Sequence, residues 1–256
     1  MNGFNQNNNG ERVDLSIVIP AYNEERRLPH TLESVDKYLQ QQSYTFEVIV
    51  VDGGSADGTS QVVEAFQKEQ SSLRLIRLPK NRGKGFHVRT GILHSRGLFV
   101  IFTDADLSTP IKEIEQFWPY FKQDYDVVIG SRRHADSRIV EPQSWLRRFM
   151  GRTYNWINRW LGIKDVEDVP CGFKGFRREA ASQIFQTVRL NGFSFDAEVL
   201  YLVQRKFHLR WKQVPIEWKN YPGSKVRLLR DPVAMILDLI KIKLYDIRGL
   251  YKSHSL

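Results

Sequence analysis

Short apolar runs alternate with helix-like stretches along the first half of the chain. The runs are rich in β-branched residues and predict buried strands at 15–19, 46–51, 73–78, 98–103 and 126–130. The stretches between them predict helices at 24–40, 59–70, 87–95 and 111–121. Strands that alternate with helices predict an α/β fold, with a mainly parallel sheet and flanking helices.

The second half is mostly helical in pattern. It predicts helices at 145–161, 180–185, 197–206 and 232–251, with one short strand at 211–218. The helix at 145–161 carries Trp145, Trp156 and Trp160 together with several arginines, a composition typical of a helix that lies on a membrane surface. An ordinary amphipathic helix packed on the sheet is the equal alternative. We expect a disordered lead-in at 1–12, a main domain at 13–220, and an amphipathic C-terminal segment at 221–256 on the membrane side.

Composition restricts the partners and the compartment. The 38 Lys and Arg against 29 Asp and Glu give a net charge of +9, which favours anionic partners. Cys171 is the lone cysteine, so no internal disulfide is possible and a reducing compartment is expected. We find neither a signal-peptide pattern nor an apolar run of about 18 residues, the length that a membrane span needs. The expectation is a cytoplasmic protein that contacts a membrane peripherally.

Polar side chains follow four of the predicted strands at the point where each strand ends. They are Tyr22 to Glu24, Asp52 to Asp57, Asp104 with Asp106, and Ser131 with Arg132. Ligands of open α/β sheets bind outside the carboxyl ends of the strands. The sequence therefore predicts a ligand site at this edge of the sheet.

Two of these strand exits and one glycine loop carry residues that suit a nucleotide or phosphorylated ligand. Asp104 and Asp106 are carboxylates one residue apart, which suits Mg²⁺ or Mn²⁺; the alternative is a solvated turn or a helix N-cap. Asp52 begins a glycine-rich turn and is placed to accept a hydrogen bond from a base N–H. The segment 81–85, N-R-G-K-G, carries two cations on a glycine loop that suits a diphosphate, although it lacks P-loop spacing.

The order of these motifs resembles the inverting family 2 glycosyltransferases of GT-A fold. The motifs are P-A-Y-N-E at 20–24, D-G-x-S-x-D-G-T at 52–59, N-R-G-K-G at 81–85 and D-A-D-L at 104–107. Later segments resemble the dolichyl-phosphate β-glucosyltransferases: D-x-x-C-G-F-K-x-F at 168–176, F-D-x-E at 195–198 and G-S-K at 223–225. The resemblance covers roughly residues 15–244 and implies a Rossmann-like GT-A domain.

The resemblance implies roles for individual residues. The residues assigned to the nucleotide sugar are Pro20, Tyr22, Glu24, Asp52, Arg82, Lys84, Asp104 and Ala105. Asp104 and Asp106 are assigned to the metal, and the catalytic residues are Asp106, Arg132 and Arg147, of which the two arginines contact the acceptor phosphate. An acceptor-side or base role falls to Asp196, Glu198, Ser224 and Lys225. Two positions depart from the family pattern. Gly53 stands where many relatives have a second aspartate, and Ser108 stands where metal-binding relatives have a glutamine.

The function implied is inverting transfer of a sugar, glucose from UDP-glucose, onto a dolichyl or polyprenyl phosphate. The alternatives are a GDP-mannose donor, a glycan or lipid hydroxyl as acceptor, or a non-catalytic basic module that binds nucleic acid or anionic membrane. That module would explain the net charge of +9 but not Asp104 and Asp106 at a strand exit, where acids repel phosphate unless a cation intervenes. We therefore expect no nucleic-acid partner.

Overall fold

The computed structural model describes residues 13–142, 144–221 and 231–251, without the side chains of 146–147 and 231–233. The strands are β1 Leu15–Ala21, β2 Phe46–Asp52, β3 Leu73–Arg77, β4 Phe99–Phe102, β5 Val127–Ser131, β6 Arg138–Glu141, β7 Lys174–Arg177, β8 Trp211–Pro215 and β9 Glu217–Lys219. The α-helices are α1 Leu28–Leu39, α2 Thr59–Gln67, α3 Lys84–Leu93, α4 Trp118–Phe121, α5 Trp145–Trp160, α6 Arg178–Thr187, α7 Phe195–Tyr201 and α8 Asp231–Ile247. A 3₁₀ helix covers Ile111–Gln116, and a π-helical turn covers Leu202–Lys206.

Seven strands form one twisted sheet in the order β3-β2-β1-β4-β7-β5-β8. Every neighbouring pair is parallel except the two that involve β7, which runs antiparallel to both β4 and β5. The central strands are buried on both faces, as their near-continuous apolar sequences require. The fold class predicted from the sequence is confirmed.

Apolar side chains fill both faces of the sheet. One cluster joins the sheet to α3, α6 and α7 through residues such as Val88, Ile184 and Leu200. The other joins it to α1, α2 and the 3₁₀ helix through residues such as Leu32 and Ile114. The backbone amide of Gly53 donates to the carbonyl of Ala21 over 2.8 Å, so the exits of β1 and β2 are held side by side.

Three details of the predicted pattern were wrong. The first helix begins at Leu28 rather than at residue 24, because Asn23 has a φ of 52° and residues 24–27 form a turn. The segment 211–218 forms two strands instead of one, with β8 in the main sheet and β9 paired to β6. Strands β6 and β7 had not been predicted at all.

The C-terminal helix α8 packs against α5 and α7. The Tyr251 ring that follows it is fully buried, and its hydroxyl donates to Glu198 Oε1 over 2.7 Å. Among the residues that the structure describes, no helix combines the length and the apolarity needed to cross a bilayer.

Candidate active site

A large cleft lies at the carboxyl ends of β1, β4 and β5, and its lining includes residues of α3, α5 and α8. Its volume is about 1410 Å³. Of the residues assigned to a site from the sequence, those that line the cleft are Pro20, Tyr22, Glu24, Lys84, Asp104, Ala105, Asp106, Arg132 and Asp196. Residues from distant parts of the chain thus meet where the strand-exit pattern places a ligand.

The two acids after β4 are brought into the cleft by a tight turn. Leu107 adopts a φ of 46°, which folds the chain back directly after Asp106. Lys84 Nζ lies 2.5 Å from Asp104 Oδ1, and Arg27 Nη1 lies 3.9 Å from Asp106 Oδ2. The backbone amide of Ser108 donates to Asp106 Oδ1 over 3.0 Å. Both carboxylates are therefore fixed in position and face cationic groups.

The Asp104 side chain occupies space that is open because residue 172 is a glycine. A Cβ atom at position 172 would lie 2.1 Å from Asp104 Oδ2, much closer than any ordinary contact. Gly172 lies two residues before β7 begins at Lys174. A side chain at position 172 would push the Asp104 carboxylate out of place.

The acid pair is suited to a divalent cation. Burial raises the pKa of Asp106, and the negative charge of Asp104 raises it further. A cation between the two carboxylates would relieve that repulsion. In the described part of the chain, no set of three His, Cys, Asp or Glu side chains is arranged to hold a metal. Mg²⁺ commonly takes one or two carboxylates and completes its shell with water and substrate phosphate, so two ligands fit this ion.

The end of the cleft near β1 and β2 is lined by Pro20, Tyr22 and Glu24. Glu24 is held in a bidentate pair by Arg27, whose Nε and Nη2 each donate over 2.7 Å. Asp52 lies behind this wall, 3% exposed and outside the cleft lining. Its Oδ1 accepts from the backbone amide and hydroxyl of Ser55, and its Oδ2 accepts from the Ser60 hydroxyl. Asp52 therefore braces the glycine-rich turn.

The two cations of the N-R-G-K-G segment have different surroundings. Lys84 opens α3 and points at Asp104, and this carboxylate and Asp196 raise its pKa against the opposing effect of burial. The Arg82 guanidinium instead lies 3.9 Å from the centre of the Phe86 ring and does not line the cleft. Only Lys84 of this pair is placed to contact a bound diphosphate.

Arginines form the other wall of the cleft. Arg132 is held by the buried Asp168, which accepts from its Nε and Nη2 over 2.7 Å each and from its backbone amide over 2.9 Å. Arg133, Arg148 and Arg152 also line the cleft. Burial lowers the pKa of Arg133, and the charges of Arg132 and Arg152 lower it further. The wall therefore carries concentrated positive charge, which an anion would stabilise.

Asp196 and Glu198, the two residues considered as bases, differ in their position and in their hydrogen-bond partners. Lys174 Nζ lies 2.5 Å from Asp196 Oδ1 at the floor of the cleft, and the same ammonium donates to the carbonyl of Val169 over 3.1 Å. Glu198 does not line the cleft. Its carboxylate accepts from the backbone amides of Arg189 and Leu190 and from the Tyr251 hydroxyl, so it orders the chain between α6 and α7. The structure thus gives Glu198 a structural role. The side chain of Arg147, and all of Ser224 and Lys225, lie outside the described residues.

The structure adds cleft residues that the sequence had not assigned to the site. They include Arg27, His87, Arg133, Arg148, Arg152, Tyr154 and Gly172. A second basic residue directly after Arg132 was the visible signal for Arg133. His87 gave no signal, because its ring packs against Gly53, which is distant along the chain. Arg27 is paired with the nearby Glu24, but its approach to Asp106 joins distant segments and could not be seen in the sequence.

Residues 16–185 match the family model "Glycosyl transferase family 2". The dolichyl-phosphate beta-glucosyltransferase of Dictyostelium discoideum is 35% identical over 257 residues, covering 96% of this chain and 78% of that protein. The Homo sapiens protein of the same name is 34% identical over 254 residues, covering 93% and 77%.

Solved structures give the same fold at low sequence identity. Mannosyl-3-phosphoglycerate synthase from Rubrobacter xylanophilus aligns with a TM-score of 0.68 at 16% identity, covering 95% of this chain and 77% of that one. Glucosyl-3-phosphoglycerate synthase from Mycobacterium tuberculosis, in complex with Mg²⁺ and UDP, aligns with a TM-score of 0.62 at 20% identity, covering 91% and 78%. At these identities the likeness concerns the fold alone.

Proposed function

The chain belongs to glycosyltransferase family 2, and from that premise we propose that it transfers glucose from UDP-glucose to a polyprenyl phosphate, with inversion at the anomeric carbon. One observation carries the proposal. The same cleft is lined by a carboxylate pair, here called the carboxylate wall, and by a cluster of arginines, here called the arginine wall, and its lining includes residues of helices with exposed apolar side chains. This arrangement suits a phosphorylated donor, an anionic acceptor and a lipid tail.

The carboxylate wall is assigned to the donor. A divalent cation held by Asp104 and Asp106 would neutralise charge that develops on the β-phosphate of the leaving nucleotide. Lys84, with its raised pKa, adds a fixed positive charge beside the same group. The aromatic ring of Tyr22 and the adjacent Pro20 are assigned to the nucleoside. The Mycobacterium tuberculosis enzyme of similar fold, crystallised with Mg²⁺ and UDP, supports the choice of ion and nucleotide.

The arginine wall is assigned to the acceptor phosphate. An oxygen of that phosphate attacks the anomeric carbon as the bond from this carbon to the UDP oxygen breaks, so UDP leaves with the bonding electrons. The nucleophile is already anionic near neutral pH and needs no general base. Asp196 forms a short ion pair with Lys174, and burial raises the pKa of this carboxyl against the opposing effect of the Lys174 charge. The proposed transfer moves no proton to this carboxyl. Arg132, fixed by Asp168, would hold the phosphate in line for attack.

Glucose is preferred over mannose because of the relatives. Several proteins named dolichyl-phosphate beta-glucosyltransferase, from different eukaryotes, are 32% to 35% identical over most of the chain. This support lies in sequence similarity. It does not come from the shape of the sugar pocket.

We assign membrane contact to the exposed faces of α5 and α8. On α5, Trp156 and Trp160 are 59% and 79% exposed, and on α8 Ile247 is 79% exposed. Exposed large apolar side chains on two packed helices form a surface suited to the lipid interface. Arg148 and Arg152 on α5, and Lys241 and Lys243 on α8, would add attraction to anionic headgroups. Such headgroups are concentrated in the cytoplasmic leaflet. A peripheral position there would bring the cleft to an acceptor whose tail stays in the bilayer.

The proposal is tested by measuring transfer from UDP-glucose, UDP-galactose and GDP-mannose to a polyprenyl phosphate in liposomes. The corresponding free polyprenol is the matched control, because it keeps the tail and removes the phosphate. We expect transfer from UDP-glucose to the phosphate and none to the alcohol. Preferred use of GDP-mannose would overturn the donor assignment, and equal transfer to the alcohol would overturn the acceptor assignment.

A further inference from the structure

The imidazole ring of His87, on α3, packs against the backbone of Gly53. A Cβ atom built on Gly53 would lie 2.2 Å from Cε1 and 2.6 Å from Nε2 of that ring. The ring therefore fills the space that a side chain at position 53 would take, and only glycine is compatible with it. This explains structurally why the second acid of the D-D-G-S pattern is missing from the chain.

The ring is buried without a partner for one nitrogen. His87 is 3% exposed, and within the described part of the chain its Nε2 has no hydrogen-bond partner. Burial lowers the pKa of His87, so the ring is neutral near pH 7 and offers one N–H donor and one acceptor nitrogen. Buried polar groups are nearly always hydrogen-bonded, so an unpartnered nitrogen beside a ligand cleft points to a ligand as the partner.

His87 lines the cleft, as Pro20 and Tyr22 do, whereas Asp52 does not. Both oxygens of Asp52 already accept hydrogen bonds, from Ser55 and Ser60. His87, which packs against Gly53 directly after β2, is thus the polar side chain that lines the cleft at this point.

We propose that His87 hydrogen-bonds the base of the nucleotide donor, which is uracil if the UDP-sugar donor proposed above holds. The edge of uracil presents a carbonyl, an N–H and a second carbonyl in a row. A neutral imidazole nitrogen finds a partner on this edge in either tautomer, by donating to a carbonyl or by accepting from the N–H. His87 is in this sense a base-binding residue, and it takes no part in bond making.

Calorimetric titration with uridine and with UDP in the presence of Mg²⁺ tests the assignment. His87→Phe keeps a ring of similar size and removes both nitrogens. We expect it to weaken uridine and UDP by the same factor, about tenfold, because one buried hydrogen bond is lost in each complex. Lys84→Ala is the matched control, and it should weaken UDP while leaving uridine unchanged, because its contact is to the phosphates.

Unchanged uridine binding by His87→Phe would overturn the inference, and so would weakening of UDP alone. If that variant does not fold, His87→Asn decides the question, because its amide retains donor and acceptor in a smaller side chain. It should bind uridine within about threefold of the parent, and a loss beyond tenfold would count against a hydrogen-bonding role. A parent protein that binds GDP more tightly than UDP would instead refute the donor in the proposed function.

Discussion

Replacement of Gly172 by alanine tests whether the Asp104 carboxylate must sit where the structure has it. The new Cβ atom would be 2.1 Å from Asp104 Oδ2, so the carboxylate must withdraw by roughly 1.3 Å to reach an ordinary contact of 3.4 Å. A displacement of about 1 Å at a reacting centre costs about 100-fold in rate, or about 2.7 kcal/mol of transition-state stabilisation. We therefore expect kcat for transfer from UDP-glucose to fall about 100-fold.

Stability should change little in the same variant. The clashing atom is the end of a side chain that is 39% exposed, and Gly172 does not have a positive φ. Gly192→Ala is the control, since its Cβ atom would meet nothing closer than 3.8 Å. The assays are steady-state kinetics on liposomes and urea unfolding of both variants. A stably folded Gly172→Ala variant with parental kcat would refute the role given to the Asp104 position.

The remaining predictions concern the metal, the membrane face and one buried carboxylate. Asp106→Asn should reduce turnover at least 100-fold without lowering the free energy of unfolding, because the lost charge is repelled by Asp104; full parental activity in excess chelator would contradict the metal assignment. Replacing Trp156, Trp160 and Ile247 by serine should weaken sedimentation with anionic liposomes more than tenfold and spare transfer to a short, soluble polyprenyl phosphate; unchanged sedimentation would exclude this face. Burial opposes ionisation of Glu47, but hydrogen bonds from Ser16 and Arg74 lower its pKa overall, so its stabilisation is present above about pH 4.5 and is lost as the pH falls through the lowered value. Urea unfolding of Glu47→Gln should show a deficit at pH 7 that shrinks in acid, and a deficit independent of pH would contradict this.

Much of the donor side was predictable because its signals are local. The apolar run of β4 ends where Asp104 and Asp106 begin, and a parallel sheet collects such strand exits at one edge. The same reasoning placed Tyr22 near the acids, whereas Lys84 was assigned to a diphosphate because it lies on a glycine loop. Tyr22 and the two acids needed only the strand order and the direction of the chain.

What the sequence did not reveal depends on contacts between distant segments. Strand β7 has only four residues, one of them the buried Lys174, so it lacks the apolar run by which the other strands were recognised. The need for glycine at position 172 appears only once the Asp104 carboxylate is seen against it. His87 has the appearance of an ordinary helix residue until its ring is found in the space above Gly53.

Inverting transfer to the lipid phosphate is decided by identifying the product formed from UDP-glucose and polyprenyl phosphate in liposomes with Mg²⁺. The donor carries its glucose in the α configuration, and attack by the acceptor phosphate from the opposite face inverts that carbon. We predict a lipid phosphoglucose whose anomeric proton shows the coupling of a β linkage by NMR, formed with release of one UDP per product. An α-linked product, or hydrolysis of UDP-glucose with no glucose on the lipid, would contradict the account.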